Sequence, residues 1–123
     1  MDESLIVTVL GMGIMGSGIA RSASRAGIRT LAWDRTFART QSVGNDQEPV
    51  EPVEHLDAAV KDADIVVTML ADASAVFTVM DDRRGFASMK PGAIWVQMAT
   101  IGLEAAGDFF QSWVLTIVRG AVP

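Results

Sequence analysis

Three glycines near the start of the chain carry the clearest chemical pattern. Gly11, Gly13 and Gly16 have the spacing G-x-G-x-x-G and directly follow a compact apolar run. In such a turn the first glycine lets the chain bend sharply, the second lets a pyrophosphate approach the backbone, and the third lets a helix pack closely on a sheet. Free N–H groups at the start of that helix add partial positive charge. The spacing predicts a phosphate-binding turn, with a ligand-free glycine-rich turn as the alternative.

An acidic residue lies where a ribose-binding carboxylate is expected. Asp34 ends the second predicted strand, 18 residues after Gly16. A carboxylate here accepts hydrogen bonds from the ribose hydroxyls of NAD and repels the 2′-phosphate of NADP. Arg35 and Thr36 follow at once, and a guanidinium and a hydroxyl can instead bind that phosphate. In a third interpretation Asp34 and Thr36 only cap the short helix that follows.

The elements that must position these residues alternate between strand and helix. Apolar runs rich in β-branched residues predict strands over residues 5–10, 28–33, 64–70, 93–96 and 113–118. Helices are predicted over residues 14–26, 36–43, 54–61, 74–80 and 103–112. Residues 44–52 are polar and contain proline, so they predict a loop with at most a short edge strand near Val50. This alternation predicts an α/β fold, a Rossmann-type doubly wound parallel sheet with right-handed crossovers.

Composition excludes several classes of site. The chain has 123 residues, enough for one domain spanning residues 1–123. It has no cysteine and one histidine, His55, so thiol chemistry and multi-histidine metal sites are excluded and no metal is expected. A net charge of −5 argues against nucleic-acid binding. No apolar run is long enough for a membrane helix, and Asp2 and Glu3 argue against a signal peptide, so we expect no membrane partner and a cytoplasmic location.

These residues carry a resemblance to a known family. Residues 7–36 resemble the opening of the β-hydroxyacid dehydrogenases, which include 3-hydroxyisobutyrate dehydrogenase and are related to 6-phosphogluconate dehydrogenase and the imine reductases. The form G-x-G-x-M-G, with Met15, is more specific than the glycines alone. Residues 62–70 and the turn at residues 90–92 resemble later segments, so the resemblance extends over about residues 5–105. It implies the N-terminal cofactor-binding domain of an NAD(P)-dependent oxidoreductase.

The resemblance also implies cofactor roles for individual positions. The backbone of the glycine turn would hold the pyrophosphate, and the residues after the second strand would hold the adenosine end. The residues after the fourth strand would lie against the cofactor, and Thr100 would lie close to the nicotinamide ribose. The residues are Gly11, Met12, Gly13, Ile14, Met15, Gly16, Asp34, Arg35, Thr36, Leu70, Ala71 and Thr100. Members that use NADP often have Asn-Arg-Thr where this chain has Asp-Arg-Thr. The expected cofactor is NADP, and NAD stays open.

Departures from the family pattern bear on activity. Where the family has a substrate-contacting Asp-x-Ser-Thr segment, this chain has Gln97 for the acid and Ala99 for the serine. The family's catalytic lysine has no counterpart, because neither Lys61 nor Lys90 matches its position. The family's helical domain, which forms the dimer interface, has no counterpart either. No catalytic residue is assigned.

The expected function follows from this gap. Residues 106–123 depart from the family pattern and are interpreted as an atypical tail of a truncated or frame-shifted dehydrogenase, with the final helix and strand of a compact variant as the alternative. We therefore expect a dinucleotide-binding domain that is inactive alone, and a small hydroxyacid or imine-like substrate only for a complete enzyme. The alternative is a non-catalytic nucleotide-binding remnant or a regulatory module.

Overall fold

A five-stranded parallel sheet forms the centre of the protein. The computed structural model describes residues 5–98. The strands are β1 (Ile6–Leu10), β2 (Arg29–Trp33), β3 (Glu51–Pro52), β4 (Ile65–Thr68) and β5 (Ile94–Gln97). They pair in the order β3-β2-β1-β4-β5, and every pairing is parallel. The chain reverses its direction of strand addition after β3, which places a crevice at the carboxyl end of β1. The predicted Rossmann-type α/β fold is confirmed.

Helical segments of unequal length connect the strands. The α-helices are α1 (Ile14–Arg25), α2 (Leu56–Val60), α3 (Ala73–Phe77) and α4 (Gly85–Ser88). A 3₁₀ turn (Phe37–Arg39) follows β2, and a π-helical turn (Thr78–Asp82) continues α3. None of the described helices is long and apolar enough to cross a membrane.

The structure corrects several predicted boundaries. The helix predicted over residues 36–43 is reduced to the 3₁₀ turn, and the one over 74–80 changes from α to π geometry after Phe77. The sequence did not predict α4. The helix and strand predicted over residues 103–112 and 113–118, and the atypical tail, lie outside the described residues.

Both faces of the sheet are buried, as expected for parallel strands between helices. On one face Leu10, Trp33 and Val66 pack with the helices that follow β3 and β4. On the other face Val9 and Val67 pack with α1. Val9 and Val66 have no exposed surface, so alternate β-branched residues supply the two faces in turn. The carboxyl ends of β1, β2 and β4 are thereby held in one rigid layer.

An ion pair connects three strands at the other end of the sheet, where the strands begin. The Asp64 carboxylate accepts a hydrogen bond from the Ile6 backbone N–H at 2.7 Å and one from Lys90 Nζ at 2.6 Å. It therefore joins the starts of β1 and β4 to the turn before β5. These two hydrogen bonds hold the pKa of Asp64 below its ordinary value of 3.8, with the Lys90 bond the larger cause.

This contact predicts part of the acid sensitivity of the fold. Because the folded-state pKa of Asp64 is lowered, its stabilisation is complete above 3.8 and is lost as the pH falls through the lower folded-state value. Asp64→Asn should therefore lower the free energy of unfolding at neutral pH and reduce its decline in acid. Urea titrations over a pH series measure both effects. The control is Asp46→Asn, in an exposed loop. Equal acid slopes for Asp64→Asn and the wild type contradict the assignment.

Candidate functional site

A cavity of about 640 Å³ opens at the carboxyl ends of β1, β2 and β4. This volume lies within the range of small-molecule sites. Its walls are the turn after β1, the loop after β2, and the segment from the end of β4 through the π-helical turn. The lining residues are Gly11, Met12, Gly13, Met15, Gly16, Asp34, Arg35, Arg39, Met69, Leu70, Ala71, Asp72, Ser74, Ala75, Thr78, Val79 and Arg83. The crevice that the strand order creates is thus a cavity of the size that a small molecule needs.

Two of the three motif glycines are required by close backbone packing. Gly11 has a φ of +106°, and a Cβ there would lie 2.3 Å from the carbonyl oxygen of Met69. A Cβ on Gly16 would lie 1.8 Å from the carbonyl oxygen of Gly11. Both obstacles are backbone atoms, so a side chain at either position requires the turn or α1 to move. These glycines let α1 start directly against the end of β1.

The middle glycine has a different environment. A Cβ on Gly13 would meet no atom within 4 Å, so the fold itself leaves this space open. Gly13 is the N-cap of α1, has no side-chain cap, and is followed by a first turn without acidic residues. Ser17 N–H donates the helix's first i→i−4 hydrogen bond, to Gly13 O, at 2.9 Å. The N–H groups of the first turn and their partial positive charge therefore face an open space that suits an anion.

Asp34 links this turn to the loop after β2. Its side chain is buried, with 7% of its surface exposed. Oδ2 accepts a hydrogen bond from the Met12 N–H and Oδ1 one from the Thr36 N–H, both at 2.8 Å. The capping interpretation is wrong for Asp34, because Thr36 is the N-cap of the 3₁₀ turn and no side chain caps that turn; the Asp34 carboxylate instead closes a local turn with the Thr36 N–H. The Thr36 side chain makes no cap hydrogen bond. Each carboxylate oxygen still has a lone pair for a further donor.

Basic residues that the sequence analysis did not single out also line the cavity. Arg39 lies four residues after Arg35, in the 3₁₀ turn, and both guanidiniums are exposed. Arg83 follows the π-helical turn and lies over the Trp33 ring, 5.2 Å from the ring centroid. The i, i+4 spacing of Arg35 and Arg39 could have indicated their common placement. No periodicity predicts Arg83, because its position depends on the π-helical turn.

The remaining predicted residues separate into three groups. Leu70 and Ala71 line the cavity as expected. Ile14 points instead to a neighbouring cavity of about 540 Å³, which Arg21 and Ser42 also line. Thr36 is exposed and lines neither cavity, and Thr100 lies outside the described residues. Residues 5–98 contain no cluster of three histidine or acidic side chains that could hold a metal ion.

The carboxyl end of β5 carries Gln97, which stands where the resemblance implies an acidic residue. Gln97 lies inside β5, paired with Thr68 of β4. Thr68 Oγ1 donates to Gln97 Oε1 at 2.9 Å and accepts from the Trp95 indole N–H at 3.1 Å. A neutral amide thus belongs to a hydrogen-bonded chain at this edge of the site. Ala99, which follows it, lies outside the described residues.

Comparison with known proteins gives a consistent result. The sequence model of the NAD-binding domain of 6-phosphogluconate dehydrogenase matches residues 6–114. An uncharacterized oxidoreductase of Bacillus subtilis is 34% identical over 99 residues, which cover 80% of this chain and 34% of that protein. The chain thus spans about a third of that relative's length.

Solved structures share the fold. A 3-hydroxyisobutyrate dehydrogenase of Salmonella typhimurium has a TM-score of 0.76 at 25% identity, over 92% of this chain and 39% of that one. The imine reductase of Myxococcus stipitatus in complex with NADP⁺ has a TM-score of 0.80 at 22% identity, over 91% and 38%. A variant of that reductase in complex with NAD⁺ has a TM-score of 0.81 at 21% identity, over 95% and 38%.

The glycine contacts predict opposite effects within one helix. Gly16→Ala should lower the free energy of unfolding by at least about 2 kcal/mol, because its Cβ overlaps a backbone oxygen. Gly18→Ala, in the same helix, meets nothing within 4 Å and should raise it by about 0.5–1 kcal/mol through helix propensity. Urea denaturation of both variants measures the difference. Equal stability of the two variants would show that α1 does not approach the turn this closely.

Proposed function

This chain belongs to the family of the NAD-binding domain of 6-phosphogluconate dehydrogenase, and we propose that it binds NADP(H) in preference to NAD(H) in the cavity at the ends of β1, β2 and β4. The family expected from the glycine turn is thereby the family found. One observation carries the proposal: an open helix start, a buried carboxylate and two guanidiniums that have no ion pair within residues 5–98 converge on one cavity of about 640 Å³.

The residues of the glycine turn fit a pyrophosphate. A Cβ on Gly13 would project into open space, because no protein atom lies within 4 Å of it. Packing within the protein therefore does not require glycine at this position. A phosphate that approaches the backbone closely would require it. The first-turn N–H groups of α1, including those of Ile14 and Met15, would donate to the phosphate oxygens. Gly11 and Gly16 contribute by setting the position of these donors.

The loop after β2 fits the adenosine end. Arg35 and Arg39 line the cavity, and neither has an ion pair within the described part of the chain. A guanidinium can bind a phosphate with two hydrogen bonds, which supports the 2′-phosphate of NADP as their ligand. Thr36 would add a hydroxyl from the rim. Asp34 opposes this preference by its charge, but its oxygens already accept two backbone N–H groups, so NAD stays the second candidate.

The segment after β4 would flank the rest of the cofactor. Leu70 and Ala71 supply an apolar part of the cavity lining. Thr100 is proposed for the nicotinamide ribose on the resemblance alone. When bound, the nicotinamide supplies or accepts a hydride, and the residues of this chain orient it and shield one of its sides.

Catalysis is proposed to require more than these 123 residues, which correspond to about a third of the Bacillus relative. The substrate of a complete enzyme would be a small hydroxyacid or an imine-like compound, as the names of the structural relatives support. The chain is proposed to act as one unit, with an atypical tail at residues 106–123, and to bind cofactor without turnover. The Gln97–Thr68 pair also favours a non-catalytic nucleotide-binding module, because an amide replaces the family's acid.

A titration tests the proposed site directly. Wild-type protein titrated with NADPH and NADH should show saturable quenching of tryptophan fluorescence, since Trp33 borders the site. Gly13→Ala should stay folded, because its Cβ meets no protein atom, and should lose about tenfold in affinity, because that Cβ occupies the space of the pyrophosphate. The matched control Gly18→Ala should bind as the wild type does. No binding of either dinucleotide at millimolar concentration overturns the proposal, and unchanged affinity of Gly13→Ala overturns the pyrophosphate position.

Charge at Asp34 should set the preference between the two dinucleotides. Asp34→Asn removes a negative charge near the proposed 2′-phosphate and should raise the NADPH-to-NADH affinity ratio roughly fivefold. Asp72→Asn is the control, because Asp72 lines the same cavity on another wall and caps α3 through the Ala75 N–H. Calorimetric titrations with both cofactors measure the ratio. An equal change in both variants would mean that the general potential of the cavity, not the position of Asp34, sets the preference.

A further inference from the structure

Arg83 lies between two unusual backbone features, a π-helical turn before it and a left-handed residue after it. It follows the π-helical turn, and its N–H donates to the Thr78 carbonyl oxygen at 2.8 Å. The next residue, Arg84, has a φ of +65° and is the one described non-glycine residue in the left-handed region. π-Helical turns within helices occur frequently at functional sites, and left-handed backbone is unfavourable for a long side chain. The π-helical turn and the left-handed residue thus lie directly beside Arg83, where the chain borders the cavity.

One side of Arg83 is covered by an aromatic ring. Its guanidinium carbon lies 5.2 Å from the centroid of the Trp33 ring. Trp33 is 1% exposed, and its indole N–H donates to the Glu54 carbonyl oxygen at 3.2 Å, so the ring is fixed. A buried, hydrogen-bonded indole is a rigid support for a cation. Trp33 immediately precedes Asp34 and Arg35, so this support stands at the adenosine end of the cavity.

The other side of Arg83 is open to the cavity. The side chain is exposed and lines the cavity beside Val79 and Ala75. Its acidic sequence neighbours, Asp81 and Asp82, form no ion pair with it in the described structure. The N–H donors of a guanidinium lie in its plane, so its face beside two apolar side chains offers a flat surface without hydrogen-bond donors. Such a surface suits an aromatic base better than a phosphate, whose donors lie at the glycine turn.

We propose that Arg83, supported by Trp33, is a binding residue for the adenine base of the dinucleotide. The base would stack on the face of the guanidinium turned away from the indole, with Val79 at its edge. This inference rests on the proposed function, because it needs the adenosine end to lie beside Arg35. It adds a second arginine to that end, with a role that does not depend on the 2′-phosphate.

The experiment uses variants of two adjacent arginines. Arg83→Gln and the control Arg84→Gln remove the same charge, but Arg84 does not line the cavity. Each is titrated with NADPH, NADH and ADP-ribose, which has the adenosine and pyrophosphate but no nicotinamide. Arg83→Gln should weaken all three by the same factor, about tenfold, as removal of a stacking partner does. Arg84→Gln should stay within about twofold of the wild type, as for a surface substitution.

The outcomes separate this inference from the proposed function. Loss of NADPH affinity alone in Arg83→Gln would assign Arg83 to the 2′-phosphate and overturn the adenine contact. Wild-type affinity of Arg83→Gln for all three ligands would overturn it while leaving the proposed function intact. No binding by the wild-type protein would overturn both. Arg83→Lys keeps the charge but not the plane, so it should bind as weakly as Arg83→Gln, and full recovery by lysine would contradict stacking.

Discussion

The close approach of α1 to the turn after β1 is the constraint on which the site depends. With no side chain at Gly16, the helix begins in contact with the backbone of Gly11, where a Cβ would lie 1.8 Å from the carbonyl oxygen. This contact brings the first-turn N–H groups to the carboxyl end of the sheet. A helix held farther out would still cover the core, but its dipole would end in solvent. The same geometric condition therefore sets the packing of α1 and the position of the N–H groups to which we assign the pyrophosphate.

Asp34 extends this constraint to the second wall of the cavity. Its two carboxylate oxygens hold the Met12 and Thr36 backbone N–H groups, so the glycine turn and the loop after β2 move as one. Capping and cofactor binding were alternatives when argued from residue type. The structure shows that Asp34 caps no helix but binds two backbone N–H groups, and each of its carboxylate oxygens can accept a second donor. A rigid carboxylate that is already half satisfied is a better-positioned ligand for a ribose than a free one.

Sequence patterns were most informative where structure is local. The buried runs of β1 and β4 and the glycine spacing depend on neighbours within a few residues, and all were predicted in place. A helix was predicted over residues 74–80, but its change to π geometry after Phe77 and the following α4 were not, because they depend on tertiary packing. Gln97 was placed after the fifth strand and lies within it, since its pairing with Thr68 is long-range. Arg83 could not be predicted for the same reason, because tertiary packing brings it to the cavity, whereas the spacing of Arg39 from Arg35 was a usable signal.

The charges of the cavity explain how an acidic chain can attract an anion. The net charge is −5, which alone would repel a dinucleotide. Within the cavity, however, the carboxylates of Asp34 and Asp72 accept backbone N–H groups, which offset their charge locally. The three guanidiniums that line it, those of Arg35, Arg39 and Arg83, have no carboxylate partner in the described region. The local field therefore follows from which charges are already satisfied, and it favours a polyanion in a chain whose overall charge is negative.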